Sequence, residues 1–159
     1  SCVLFGDAAA ATLLSTASGA RGLAVLDTIV TSSPAGYLHV RIPDGGQFDQ
    51  NGAAVQKFAV TKTVAITREI LARNQLATAD ITYFVAHQAN YRMLMSACDK
   101  LGFSPEQHLY NVDRFGNQGG AGAPAVLSLN WDRFKVGDKI VVAVVGSGLT
   151  WAAALLQVV

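Results

Sequence analysis

Charge is what this 159-residue chain has least of. Only 14% of its positions are Asp, Glu, Lys or Arg, against about a quarter in an ordinary soluble domain. Twelve basic and eleven acidic side chains leave a net charge of +1, so no global field favours nucleic acid or an anionic membrane surface. Low charge combined with 51% hydrophobic residues also excludes intrinsic disorder. Cysteine is scarce too. Cys2 and Cys98 are too few for a disulfide framework and lack the spacing of a zinc site. Each lies in an apolar or amphipathic run and reads as a buried, inert thiol, which suits a reducing, cytoplasmic setting. No metal is expected, and no basic apolar leader is visible at Ser1 to suggest secretion.

What is present in excess is apolar surface. The mean hydropathy is +0.32, and a chain of this length forms one domain too small to hide that much inside itself. Either it inserts into a membrane or another piece of protein covers it. Ile140 to Val159 runs uncharged for a membrane-spanning length. Its centre, however, reads Gly146-Ser147-Gly148-Leu149-Thr150, and Val141, Val142, Val144 and Val145 are β-branched, which favours strands over a helix. The segment is therefore expected to be two buried strands, Ile140–Val145 and Trp151–Val158, joined by a turn.

The rest of the chain alternates strand and helix signals. The chain opens in a strand-like run, Cys2-Val3-Leu4-Phe5, followed by Gly6-Asp7, Ala8 to Ala11 and Thr12-Leu13-Leu14, and is expected to form two buried strands joined by a tight turn. Leu23 to Thr31 reads as a strand, and the Pro- and Gly-rich Ser32 to Gly52 as an irregular surface excursion. Val55 to Leu76 carries one apolar stripe (Val55, Phe58, Ala59, Ala65, Ile66, Ile70, Leu71), with Lys57, Lys62, Arg68 and Glu69 on its wet side. Ile81–Ala86 is a short strand. Asn90 is placed to cap a helix through Leu101, which Gly102 stops. Ser104-Pro105-Glu106 begins a short helical turn, Tyr110–Val112 a brief strand, Gly116 to Gly122 a glycine-rich loop, and Ala123 to Phe134 a helix with Pro124 near its start. Without repeats or linkers, this is an α/β domain with a mixed sheet covered by helices.

His87 sits where a strand becomes a helix, the edge at which α/β folds bind ligands. It could serve as acid, base or hydrogen-bond donor, or simply pack at a strand end. Asn117, within Arg114-Phe115-Gly116-Asn117-Gln118-Gly119-Gly120-Ala121-Gly122, could meet a ligand or be a turn residue. The Gly146–Gly148 turn could aim N–H groups at an anion or be an ordinary hairpin. It is no phosphate loop, lacking the Lys and the strand-to-helix context. His39 and His108 have no partner spacing and are expected at the surface.

Taken together, these sites are no longer independent. His87-Gln88-Ala89-Asn90, Gly116-Asn117 and Gly146-Ser147-Gly148-Leu149-Thr150-Trp151, with Leu4-Phe5-Gly6-Asp7, Lys57-Phe58-Ala59-Val60 and the Ala-rich closing strand, resemble the C-terminal half of the β-ketoacyl-acyl carrier protein synthase III family. The likeness covers essentially the whole of residues 1–159. It implies a thiolase-like half with a five-stranded mixed sheet, and a partner N-terminal half that supplies the nucleophilic Cys, since neither Cys2 nor Cys98 stands in the family's nucleophile context. It further implies a homodimer of the full enzyme, acyl-CoA and malonyl-acyl carrier protein as substrates with no bound cofactor, and a role in fatty acid biosynthesis.

By the same resemblance, His87 and Asn117 are the catalytic oxyanion donors and Ser147 contributes a backbone N–H to a second oxyanion site. Gln88, Asn90 and Arg92 lie near the substrate's pantetheine arm or the carrier protein. Two departures stand out. Ala53 replaces the family's pantetheine-contacting Asn, and Gln118-Gly119 stands where the family often has Thr-Ser. Gly120 and Gly122 leave room for a different acyl chain. Alternatives are a non-catalytic partner subunit, or a thiolase-fold acyltransferase of secondary metabolism. Alone, the chain is expected to be inactive and to aggregate.

Overall fold

The computed structural model describes residues 4–17 and 21–159. Its centre is a five-stranded mixed sheet built from β1 (Leu23–Ser32), β4 (Tyr83–Ala86), β5 (His108–Leu109), β6 (Lys139–Gly146) and β7 (Thr150–Val158), in the order β1-β7-β6-β4-β5. The uncharged C-terminal stretch is the antiparallel pair β6–β7, with Ile140 opposite Leu156 and Gly146 opposite Thr150. Strand β4 runs parallel to both β5 and β6, while β1 pairs antiparallel with β7 at the opposite edge. A bulge at Val25/Asp27 interrupts β1, and Asp27 there accepts hydrogen bonds from Arg73 (3.0 Å) and Asn74 (2.9 Å) at the end of helix α1 (Gly52–Arg73). No helix among the described residues is long and apolar enough to cross a membrane.

Both faces of the sheet are buried, which explains why its central strands read as continuous apolar runs. On one face Phe84, Ala86, Val141, Ala143 and Leu155 pack against Val64, Ile66, Ile70 and Leu71 of α1 and Leu94, Ala97 and Leu101 of α2 (Tyr91–Leu101). On the other, Val85, Ile140 and Leu156 meet Ala123 and Val126 of α4 (Gly122–Leu129) and Phe134. Asn90 caps α2 through its side chain, and Gly102 ends it at φ 75°. A two-stranded ribbon, β2 (Val40–Arg41) with β3 (Asp49–Gln50), and a 3-10 turn at Pro34–His39 fill the excursion expected between β1 and α1.

Several expectations need correction. Leu4 to Asp7 form no buried strand pair. Phe5 makes a single bridge to Asn117, and Leu4 and Phe5 are exposed, as are Leu13 and Leu14 at 94% and 80%. Phe5 packs edge-to-face on Phe48 at 5.2 Å between ring centroids, but the segment's strand-like apolar pattern joins no sheet among the described residues. Cys2 lies outside the described residues. Ala65, counted in the apolar stripe of α1, faces solvent. Ser104-Pro105-Glu106 belongs to a non-helical turn. The brief strand is His108–Leu109 rather than Tyr110–Val112, the latter leading into α3 (Val112–Phe115). The helix after the glycine loop stops at Leu129, with a separate 3-10 turn at Trp131–Arg133.

Candidate active site

The carboxyl ends of the parallel strands β4 and β6 define one edge of the sheet, the edge at which ligands gather in folds of this kind. His87 follows β4 there, its backbone N–H donating to the Ala143 carbonyl of β6 at 3.0 Å. Its imidazole is half-buried and borders a small cavity of about 20 Å³, room for roughly one water. Ala59, Thr63, Ala89, Met93 and Val145 also line the cavity. Desolvation pushes the His87 pKa below its ordinary value, so the ring stays neutral and retains one N–H donor.

Gln88 joins this edge to the glycine-rich loop. It is fully buried; its Nε2 donates to the Ala86 carbonyl (2.7 Å), and its Oε1 accepts the N–H groups of Asn111 (2.9 Å) and Val112 (3.2 Å). Expected beside the substrate or carrier, Gln88 instead has no exposed surface to offer either. Its place depends on Gly122, where a Cβ would approach the Gln88 Cβ to 2.9 Å. The side chain of buried Asn111 in turn donates to Gln118 Oε1 at 3.0 Å.

Asn117 sits at the head of that loop, held on both sides. Its N–H donates to the Leu4 carbonyl (2.9 Å), and its own carbonyl accepts from Gly6 (3.1 Å). The preceding Gly116 adopts φ 67°, ψ −164°, a conformation essentially closed to other residues. Asn117 Oδ1 accepts the Gly119 N–H at 2.9 Å. With its oxygen so engaged, the amide has Nδ2 left over as a donor. The turn and ligand alternatives open for Asn117 are thus compatible, because one end of the side chain makes the turn and the other has no partner among the described residues.

The third element is the β6–β7 turn, where Ser147 is exposed. Leu149 anchors it, exchanging backbone hydrogen bonds with Ser33 (3.1 and 2.8 Å) and packing its side chain over Gly36, where an added Cβ would make that side chain shift. Neighbouring Val145 lines the same cavity as His87. Asn90 spends its Oδ1 on the amides of Arg92 (2.9 Å) and Met93 (3.4 Å), a capping role, while Arg92 projects from the exposed first turn of α2. Ala53 is exposed at the start of α1.

Of the other candidates, His39 is exposed as expected, but His108 is not. It is 4% exposed on β5, neither ring nitrogen has a partner among the described residues, and burial drives its pKa down to about 4. Cys98 is buried, its thiol raised to about 12 chiefly by desolvation and then by Asp99, so it is no nucleophile. Among the described residues no group of His, Cys, Asp and Glu could hold a metal. Asn111 and Gln118 were missed from the sequence as parts of the site, since nothing in their spacing announces a bond between them.

A five-stranded mixed sheet in this order with helices on both faces defines the class as a thiolase-like half domain. The chain belongs to the 3-oxoacyl-[acyl-carrier-protein (ACP)] synthase III C-terminal family, matched over residues 71–158. It is 36% identical over 173 aligned positions to the β-ketoacyl-[acyl-carrier-protein] synthase III of Symbiobacterium thermophilum, covering 98% of this chain and 52% of that protein. The Acidiphilium cryptum enzyme of the same name is 37% identical over 166 positions, again covering 98% and 52%. The crystal structure of 3-oxoacyl-[acyl-carrier-protein] synthase III from Aquifex aeolicus VF5 superposes with a TM-score of 0.81 at 27% identity, over 84% of this chain and 44% of that one. The chain thus spans about half the length of the curated relatives it matches.

Proposed function

We propose that residues 1–159 are the C-terminal catalytic half of a β-ketoacyl-acyl carrier protein synthase III-type condensing enzyme, acting with an N-terminal half that carries the nucleophilic Cys. An acyl group from acyl-CoA is transferred to that Cys, releasing CoA thiol. Malonyl-acyl carrier protein then loses its carboxylate as carbon dioxide, and the electron pair of the broken C–C bond moves onto the thioester carbonyl as an enolate. The enolate carbon attacks the acyl-Cys carbonyl, and the thiolate leaves as the β-ketoacyl product forms.

His87 and Asn117 hydrogen-bond the oxygen on which the enolate charge develops. Donors fixed in a low-dielectric site stabilise such charge far more than water does. The observation that carries this reading is that two unspent neutral donors, the desolvated His87 ring and the Asn117 amide, sit on loops tied together through Gln88, Asn111 and Gln118. The exposed Ser147 N–H serves the acyl-thioester oxyanion. Arg92, at the exposed start of α2, meets the anionic carrier, and Asn90 orients that turn beside the pantetheine arm. Gln88 acts behind them by positioning.

The full enzyme is a cytoplasmic homodimer that uses no bound cofactor and engages neither nucleic acid nor membrane. Exposed apolar residues concentrated between Leu4 and Ile42 are the surface the N-terminal half covers, since patches of this kind mark interfaces. Mixing the chain with its Cys-bearing half should restore β-ketoacyl-carrier-protein formation from acyl-CoA and malonyl-acyl carrier protein. A stable complex that makes no such product would refute the assignment and leave a non-catalytic partner subunit.

A further inference from the structure

Most hydrogen bonds around the glycine-rich loop explain themselves as turns or caps. One does not. Gln118 lies between Asn117 and Gly119, inside the turn closed by the Asn117 Oδ1 to Gly119 N–H bond. Its own side chain reaches away from the turn to Asn111, whose Nδ2 donates to Gln118 Oε1 at 3.0 Å. Asn111 is 3% exposed, and its Oδ1 finds no partner. Gln118 is therefore the one side-chain partner that this buried amide has among the described residues. Asn111 is not free to move, because its backbone N–H is held by Gln88 Oε1, and Gln88 Nε2 is fixed to Ala86 at the end of β4. An unbroken line of hydrogen bonds thus runs from the strand that precedes His87 to the residue that follows Asn117.

We propose that Gln118 is a positioning residue, its Oε1 docked on buried Asn111 so that the Asn117 amide is held at a fixed offset from His87. This rests on the reading of His87 and Asn117 as paired oxyanion donors, and it adds what sets their separation. Only the acceptor Oε1 is used; Gln118 Nε2 makes no bond in the described structure. Chemistry at that position is thus testable with two variants of nearly equal length. Gln118→Glu keeps an acceptor for Asn111, whereas Gln118→Met fills the same space without one.

The experiment uses the full two-half enzyme and malonyl-acyl carrier protein, with carbon dioxide release as the rate and amide hydrogen exchange at Gly119 as a readout independent of activity. Misplacing a reacting geometry by about 1 Å can cost on the order of 10²-fold. Gln118→Met should accordingly lower kcat for decarboxylation by about 10- to 100-fold with KM within about twofold. The Gly119 amide should exchange about tenfold faster, while amides of β4 and β6 keep their protection. Gln118→Glu should recover most of the rate and the Gly119 protection. Unchanged kcat and Gly119 exchange in Gln118→Met would overturn the proposal, as would equal losses in both variants. A parent enzyme that releases no carbon dioxide would overturn the oxyanion reading instead, and Gly119 exchange would still decide whether Gln118 holds the turn.

Discussion

His108 offers a sharp test of the physical reading because burial and bonding disagree there. The ring sits on edge strand β5 at 4% exposure, 5.0 Å from the Tyr110 ring and 6.2 Å from that of Phe84, with both nitrogens unpartnered among the described residues. Burial without a partner penalises the imidazolium, so the folded pKa falls to about 4 from the ordinary 6.5. Above pH 6.5 neither the folded nor the unfolded state holds the proton. As pH falls, the unfolded chain binds it first, so stability is lost from about pH 6.5 downward and levels off below about pH 4. With that shift about 2.5 kcal/mol is lost by pH 4.5, discounted to about 1.5–2 kcal/mol because His108 borders a surface pocket with Pro105, Glu106 and Arg133 and is partly screened there.

Replacing His108 with Phe keeps an aromatic ring while deleting both orphaned nitrogens, each a desolvation cost of about 1–3 kcal/mol. The variant should be at least as stable as the parent at pH 7.5, by up to about 2 kcal/mol, and should lose the acid-limb slope between pH 6.5 and 4. Urea unfolding of the two-half protein at pH 7.5, 5.5 and 4.5, followed through Trp131 and Trp151, reads both effects. His108→Phe that is destabilised by more than about 1 kcal/mol at pH 7.5 with an unchanged pH slope would show that the ring nitrogens have partners, and the reasoning would fail.

Gly122→Ala should cost about 1–3 kcal/mol in urea unfolding, because the new Cβ would press on Gln88 at 2.9 Å and loosen its grip on Asn111; an unchanged midpoint would contradict this. The decarboxylation rate should stay flat as pH drops through 6.5 and decline only below it, because desolvation lowers the His87 pKa and the neutral ring is the form used; a pH–rate profile with an acid limb at or above 6.5 would count against a desolvated His87. Without its N-terminal half the chain should self-associate, as residues such as Leu13 and Leu14 at 94% and 80% exposure demand, whereas a single monomeric boundary in sedimentation velocity would contradict it.

What the sequence made legible follows from where the physics is local. The β6–β7 hairpin was readable because β-branched residues and a Gly-Ser-Gly break sit in one stretch, and the Asn90 cap because capping acts within three residues. A strand of two residues has no period, so the sequence pattern points to Tyr110–Val112 rather than β5, and it leaves His108 at the surface although strand pairing sets that residue beside Phe84, far away in sequence. The opening segment misled for a different reason, its apolar pattern resembling a strand although it contributes only one bridge, from Phe5 to Asn117, and leaves Leu13 and Leu14 exposed. Within the site, His87 and Asn117 stood out by motif. The ties that hold them, Gln88 to Asn111 and Asn111 to Gln118, join residues by side-chain reach and left no mark on the sequence pattern.

The central claim is that His87 and Asn117 together stabilise the enolate oxygen formed by decarboxylation. Carbon dioxide release from malonyl-acyl carrier protein, measured for the two-half enzyme with His87→Ala, Asn117→Ala and both changes combined, tests it most directly. Each single variant should lose about 10²–10³-fold in kcat, with the double variant losing less than the product of the two because the donors act on one oxygen. A full rate of release in either single variant would contradict the account.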